Sequence, residues 1–194
     1  MLFSYNNDYE KFRYNPDNYI NTVYDDNIGN NSSLTVYFHQ GRNNIDLSYR
    51  YNNYSLNRFL TAVREIQNSP DSRVTKVVII GFASPEGSVE LNTRLGQTRA
   101  ENTRRYLLEN GMLGAEQIEL HNGKVNWGGL RKLVMQSSMP YREQVLNIID
   151  NTPDFRRQAE LMRLGGGAPY RYMLNNLFPE LRNATYIKVY YENK

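Results

Sequence analysis

The stretch GFASPEGSVELNTRLGQTRAENTRRYLLENG, residues 81–111, holds the side chains best placed to do chemistry. At 100° per residue, Asn92, Leu95, Arg99, Thr103 and Tyr106 fall on one narrow helical stripe, bordered by Val89, Ala100 and Leu107. The stripe belongs to the half of the helix that faces a sheet. A guanidinium there needs a carboxylate or carbonyls, or must emerge at an edge. Ser84, Pro85, Glu86 and Gly87 make the turn before the helix, and Ser88 is placed to cap it. Backbone N–H groups at such a helix start favour a carboxylate or phosphate. The pattern is that of an anion pocket at the head of a helix. An internal pair between Arg99 and a glutamate satisfies the same residues equally well. Glu86 and Glu90 read as solvated acids near a helix N-terminus, not as a catalytic pair.

Other chemistries find little to stand on. With no cysteine there is no thiol catalysis and no sulfur-built zinc site. The two histidines, His39 and His121, read as ordinary strand residues, so no metal and no cofactor are expected. No nucleophile elbow or His-Glu-x-x-His motif occurs, and no Lys-Ser/Thr follows the triplet Gly165, Gly166 and Gly167, so the chain reads as no enzyme. The net charge of +3 comes from cations scattered among acids, which speaks against nucleic acid. No apolar run reaches the ~20 residues of a membrane helix. The first residues lack the basic start and apolar core of a signal peptide, so an exported protein would be represented here by a processed or truncated form. Sixteen tyrosines among many asparagines give a polar surface suited to sugars.

The elements that must position Arg99 follow from periodicity. Residues 1–30 read as an irregular leader or linker, and residues 31–194 as one domain. Leu34, Val36 and Phe38 alternate as in a strand. A loop from Gly41 to Asn53 leads to a helix capped by Ser55, with Leu56, Phe59, Leu60, Val63 and Ile66 on its apolar face. KVVIIGF reads as a central strand covered on both faces, and AEQIELHNG as a third strand. The central helix should end at Gly111 in a left-handed C′ conformation. Beyond it come further amphipathic stripes: Trp127, Leu130, Leu133 and Val134; Tyr141, Val145, Ile148 and Ile149; Phe155, Ala159 and Met162; and Met173, Leu174 and Leu177. Breaks fall at Pro140, at Pro153 and at the glycine triplet, and ATYIKVYYE reads as a last strand. The order predicts an α/β (α+β) two-layer sandwich with a helical insertion at about 128–182. Tyr141, Tyr170, Tyr172 and Phe178 are candidates for an aromatic partner patch on that insertion.

The run Asn92-Thr93-Arg94-Leu95-Gly96-Gln97-Thr98-Arg99-Ala100 resembles the Asn-x-x-Leu-Ser-x-x-Arg-Ala helix of the OmpA-like, peptidoglycan-binding domain family. The likeness is close over about thirty residues, looser from Leu34 to Gly123, and resumes at the last strand. ASPEG is similar to a variant found in Bacteroidetes proteins. The resemblance implies a βαβαβ core and a non-catalytic periplasmic domain of an outer-membrane or surface-assembly protein. In the family an aspartate at the strand end holds the ammonium of diaminopimelate in the stem peptide, and the motif arginine holds a carboxylate. Arg99 matches that arginine, while Ser84 stands where the aspartate would be. Gly96 replaces the family's serine, and Thr103 a usual valine.

Two functions follow as expectations. In the first, peptidoglycan stem peptide binds through Ser84, Glu86, Gly87, Asn92, Leu95 and Arg99, with Glu86 as the ammonium partner. In the second, the fold has lost that site and serves assembly, binding a protein partner in the cell envelope through the helical insertion.

Overall fold

A computed structural model describes residues 33–111 and 113–193; the expected leader, residues 1–30, lies outside them. Strand β1 (Ser33–Tyr37) leads through a loop to helix α1 (Asn52–Asn68). Then come β2 (Ser72–Ala83), α2 (Val89–Asn110) and β3 (Ile118–Val125). Five helices follow: α3 (Trp127–Gln136), α4 (Arg142–Asn151), α5 (Asp154–Arg163), α6 (Ala168–Asn176) and the short α7 (Phe178–Leu181). Strand β4 (Asn183–Asn193) closes the order.

The sheet runs β1-β4-β2-β3. Strand β4 lies antiparallel to both β1 and β2, and β3 pairs parallel to β2 through the α2 crossover. The expected central strand is central and longer than KVVIIGF alone, and its Val77, Val78, Ile79 and Ile80 are all buried. Helices α1 and α2 pack on the sheet to form one core, containing Phe38, Phe59, Val63, Ile79, Phe82 and Leu107. Where α2 crosses β2, two glycines meet: a Cβ on Gly81 would lie 2.0 Å from the Gly96 carbonyl oxygen. A side chain at residue 96 would in turn crowd Asn122 and the Gly81 carbonyl, at 2.9 and 3.0 Å. That contact is the physical reason for glycine where the family pattern has serine.

The helical segment carries a second core of Trp127, Leu130, Val145, Leu161, Met173 and Phe178. Its breaks fall where proline and glycine place them. Gly165, Gly166 and Gly167 take φ of 54, 62 and 81°, values that glycine adopts without steric cost.

Several local expectations are corrected. Helix α1 begins at Asn52, not after a Ser55 cap, because the buried Asn52 amide accepts from the Tyr37 N–H at 2.7 Å and donates to the carbonyls of Tyr37 and Asp46. Gly111 is extended (φ −103°), with its N–H on the Leu107 carbonyl, and so is not left-handed. Val89 is exposed in the first turn of α2 and does not border the buried stripe. Phe155, Ala159 and Met162 face solvent, since α5 buries Leu161 about a third of a turn away. The four-ring patch does not form: Phe178 is buried edge-on to Tyr170, Tyr170 and Tyr172 are half-buried, and only Tyr141 is exposed.

Candidate functional site

The turn at residues 84–88 sits where β2 ends and α2 begins, as the spacing requires. Ser88 Oγ accepts from the Leu91 N–H at 3.2 Å, and Gly87 takes a φ of 83° that lets the chain swing into the helix. On the inner stripe of α2, Asn92, Arg99 and Thr103 are buried and Leu95 is half-buried. Ser84 is buried at the strand end.

Arg99 is 1% exposed. Its guanidinium meets main-chain oxygen on every nitrogen. Nε donates to the Arg42 carbonyl at 2.9 Å, Nη1 to that of Phe82 at 3.0 Å, and Nη2 to that of His39 at 3.3 Å. The Phe38 ring lies beneath, 5.1 Å from the guanidinium carbon to the ring centroid. Burial lowers its pKa to about 10; the charge of Glu86 opposes that shift and Arg182 adds to it. The arginine still carries its proton at neutral pH. Carbonyls, one of the partners expected for such a guanidinium, hold Arg99, and the direct pair with a glutamate is not found: no carboxylate among the described residues pairs directly with it.

Glu86 turns inward from the turn and finds two partners. Its Oε1 accepts from Arg182 Nη2 at 2.8 Å and Nε at 3.2 Å, and its Oε2 accepts from Gln40 Nε2 at 2.7 Å. The two charged side chains are 13% and 16% exposed, so the pair is nearly closed off from water. Two further contacts secure the wall around it. The Phe38 N–H donates to the Arg182 carbonyl at 3.1 Å, and Arg50 pairs with Glu180 at 3.0 Å. Asn102 Nδ2 bonds the Asn43 carbonyl at 2.8 Å, which pins the 39–50 loop against α2.

Arg182 and Gln40 are the site residues that sequence reasoning missed. The signal for Arg182 lies in register. Ile80 pairs with Tyr186 and Ile79 with Ile187; continuing that count along both strands brings Arg182 across from Ser84. Neither periodicity nor motif carries that information. Of the six predicted site residues, Asn92, Arg99 and Ser84 line the buried side of the crossover, Leu95 lies half-buried on the same helix, Glu86 closes it and Gly87 stays exposed at its rim. A pocket of about 430 Å³ lies elsewhere, at the turn before α4, lined by Met139, Pro140, Tyr141 and Arg142 among others.

The two histidines are separately engaged. His39 stands in the loop after β1, stacked on Tyr49 (ring centroids 3.8 Å apart) and 3.1 Å from Asp46. His121, on β3, lies 2.6 Å from Glu119. No group of side chains among the described residues could hold a metal ion, and no described helix is long and apolar enough to cross a membrane.

The model of the OmpA family matches residues 37–139, slightly more than half of the chain. The matched span includes the loop over Arg99, the site turn and α2, and it stops before α4. No curated protein matches the chain.

Proposed function

The chain belongs to the OmpA family, whose domains are known generally for binding peptidoglycan, and on that premise we propose a non-catalytic envelope module whose stem-peptide pocket is filled from within. It works on the periplasmic side of the outer membrane, and its helical segment meets a protein partner there.

One observation carries this reading. The acid that could receive a ligand ammonium, Glu86, is already bonded by Arg182, and the donors that could receive a ligand carboxylate already serve three carbonyls around Arg99. A zwitterionic ligand would have to break both sets and replace each with equal geometry. Uncovering one member of a nearly buried pair costs about 3–5 kcal/mol, more than a single new hydrogen bond returns.

The test is a titration of isotope-labelled protein with a diaminopimelate-containing muropeptide, followed by NMR. The expected result is no saturable shift in residues 84–99. Saturable shifts there that vanish in Arg99→Ala would overturn the filled-pocket reading and restore wall binding. That second reading is favoured by the residual exposure of Glu86 and Arg182, which leaves their pair open to exchange with a ligand. The partner arm is tested on the full chain. Charge substitutions on the exposed faces of α4 and α5 should release an envelope partner, whereas Arg99→Ala should leave it bound.

A further inference from the structure

Helix α5 presents its apolar stripe to water. Phe155 is 75% exposed and Met162 52%, with the exposed Ala159 between them at spacings i, i+4 and i+7. The opposite side of the same helix is fully used: Leu161 is buried in the second core, and Arg157 packs over Trp127 while its Nε donates to the Thr152 carbonyl. The outward stripe is therefore surplus to folding. Aligned on one exposed face, the phenylalanine and the methionine make a small apolar patch of the kind that contact surfaces use.

Charge decides which partner suits that patch. Going round the helix from Ala159, the next positions are Arg163 and Arg156. Arg156 is matched by Glu160 at 2.9 Å. Arg163 closes the C-terminal end of α5, and Arg171 joins it there, its Nη1 on the Gly166 carbonyl at 3.2 Å. Among the described residues neither Arg163 nor Arg171 pairs with a carboxylate. The stripe thus has a neutralised flank and a basic C-terminal end. A second copy of the chain laid parallel on this stripe would set basic end against basic end, which argues against that mode of self-pairing.

We propose that the Phe155–Ala159–Met162 stripe of α5 is the docking face for an acidic amphipathic helix of a partner protein, whose carboxylates meet Arg163 and Arg171. The proposal rests on the reading of the helical segment as a contact surface and names its occupant. The apolar stripe supplies the buried contact and the two arginines fix its direction, the division of labour found where an amphipathic helix lies on a complementary face.

Two synthetic amphipathic helices with the same leucine stripe, one flanked by glutamates and the other by lysines, probe this on the full chain. The glutamate helix should bind and shift the amide signals of Phe155, Ala159 and Met162. Phe155→Ser, a surface change, should weaken it by ~10-fold or more. Arg163→Glu combined with Arg171→Glu should invert the preference toward the lysine helix. Equal binding of both helices, shifts confined to other elements, or a concentration-dependent doubling of mass that protects the stripe would each overturn it. Such a failure leaves the filled-pocket reading untouched, because the probe meets neither Glu86 nor Arg99.

Discussion

Replacing Glu86 by glutamine removes one negative charge from a site that holds two guanidinium groups, and it does so without changing shape. The carboxylate accepts two bonds from Arg182 and one from Gln40, and its field also favours the protonated form of Arg99. The amide keeps one acceptor oxygen for Arg182, at about half the strength of a charge-assisted bond. It also turns an N–H₂ toward Gln40, whose amide must flip to accept it, or toward Arg182, which can only donate. Full rupture of a buried pair costs about 3–5 kcal/mol; with 13% and 16% exposure and one bond retained, Glu86→Gln should lose about 2–3 kcal/mol. Urea unfolding followed by circular dichroism at pH 7 measures that loss. Glu86→Ala, by contrast, vacates the carboxylate position in front of Arg182 and within the field of Arg99, so a small external carboxylate should occupy it. If acetate binds with a Kd of ~20 mM, ~200 mM acetate returns about 1.4 kcal/mol to the variant, and equal chloride returns less. The wild type should show no such preference for acetate. A loss under about 0.5 kcal/mol, the size of an ordinary surface change, or equal recovery in acetate and chloride, would refute the view that Glu86 occupies a ligand carboxylate's place.

The remaining expectations concern the frame and its surface. Gly81→Ala drives a Cβ to 2.0 Å from the Gly96 carbonyl oxygen, so α2 must lift from the sheet, at a cost of about 1–3 kcal/mol or more in urea midpoint analysis. Leu161→Ala should cost about 2–5 kcal/mol through the cavity it leaves, whereas Phe155→Ser on the same helix should fall within about 0.5 kcal/mol; equal losses would contradict the assignment of inner and outer faces. Burial works to raise the pKa of Glu119, but bonding from Lys76 and the charges of Lys76 and His121 outweigh it, so the carboxyl titrates below its ordinary value. Its contribution is therefore present above the unfolded carboxyl's pKa and is lost as pH falls through the lower folded value. With this side chain 40% exposed the effect stays below about 1 kcal/mol, and Glu119→Gln should flatten that part of the acid limb in a pH series of unfolding curves.

Much of the frame was legible because it rests on local periodicity. The burial of Val36 in β1, the apolar run of β2, the Ser88 cap and the inward stripe of α2 each follow from residues within one element, and each is found, although β1 ends at Tyr37 and leaves the buried Phe38 just outside it. The placement of Arg99 in a buried crossover was readable for the same reason. What satisfies it was not. The carbonyls of His39 and Arg42 belong to a loop with no period, and the bond between Glu86 and Arg182 spans 96 residues. Such a contact depends on strand register, which side-chain pattern alone does not determine when a strand can be buried on both faces. Helix α5 misled for a different physical reason. It offers two apolar sides, and the side with fewer apolar residues is the buried one, because the Thr152 carbonyl and Trp127 draw Arg157 inward and bring Leu161 with it.

Ser84 and Arg182 bear on the same end of β2. Arg182 immediately precedes β4 and bonds Glu86, two residues past the strand-end position where the family resemblance would place an acid for a ligand ammonium. An aspartate there would give the closed site a second carboxylate to share Arg182 with Glu86. Serine leaves one carboxylate between two guanidinium groups, and the carbonyls of His39, Arg42 and Phe82 hold the cation that the carboxylate does not touch. The lowered pKa of Arg99 records what remains, a buried positive charge that the protein's own acid only partly offsets. Arg99 thus has the helical place and the depth of the motif arginine, and each of its guanidinium nitrogens donates to a main-chain carbonyl. Because Arg182 immediately follows α7, its ion pair with Glu86 ties the end of the helical segment to the turn before α2.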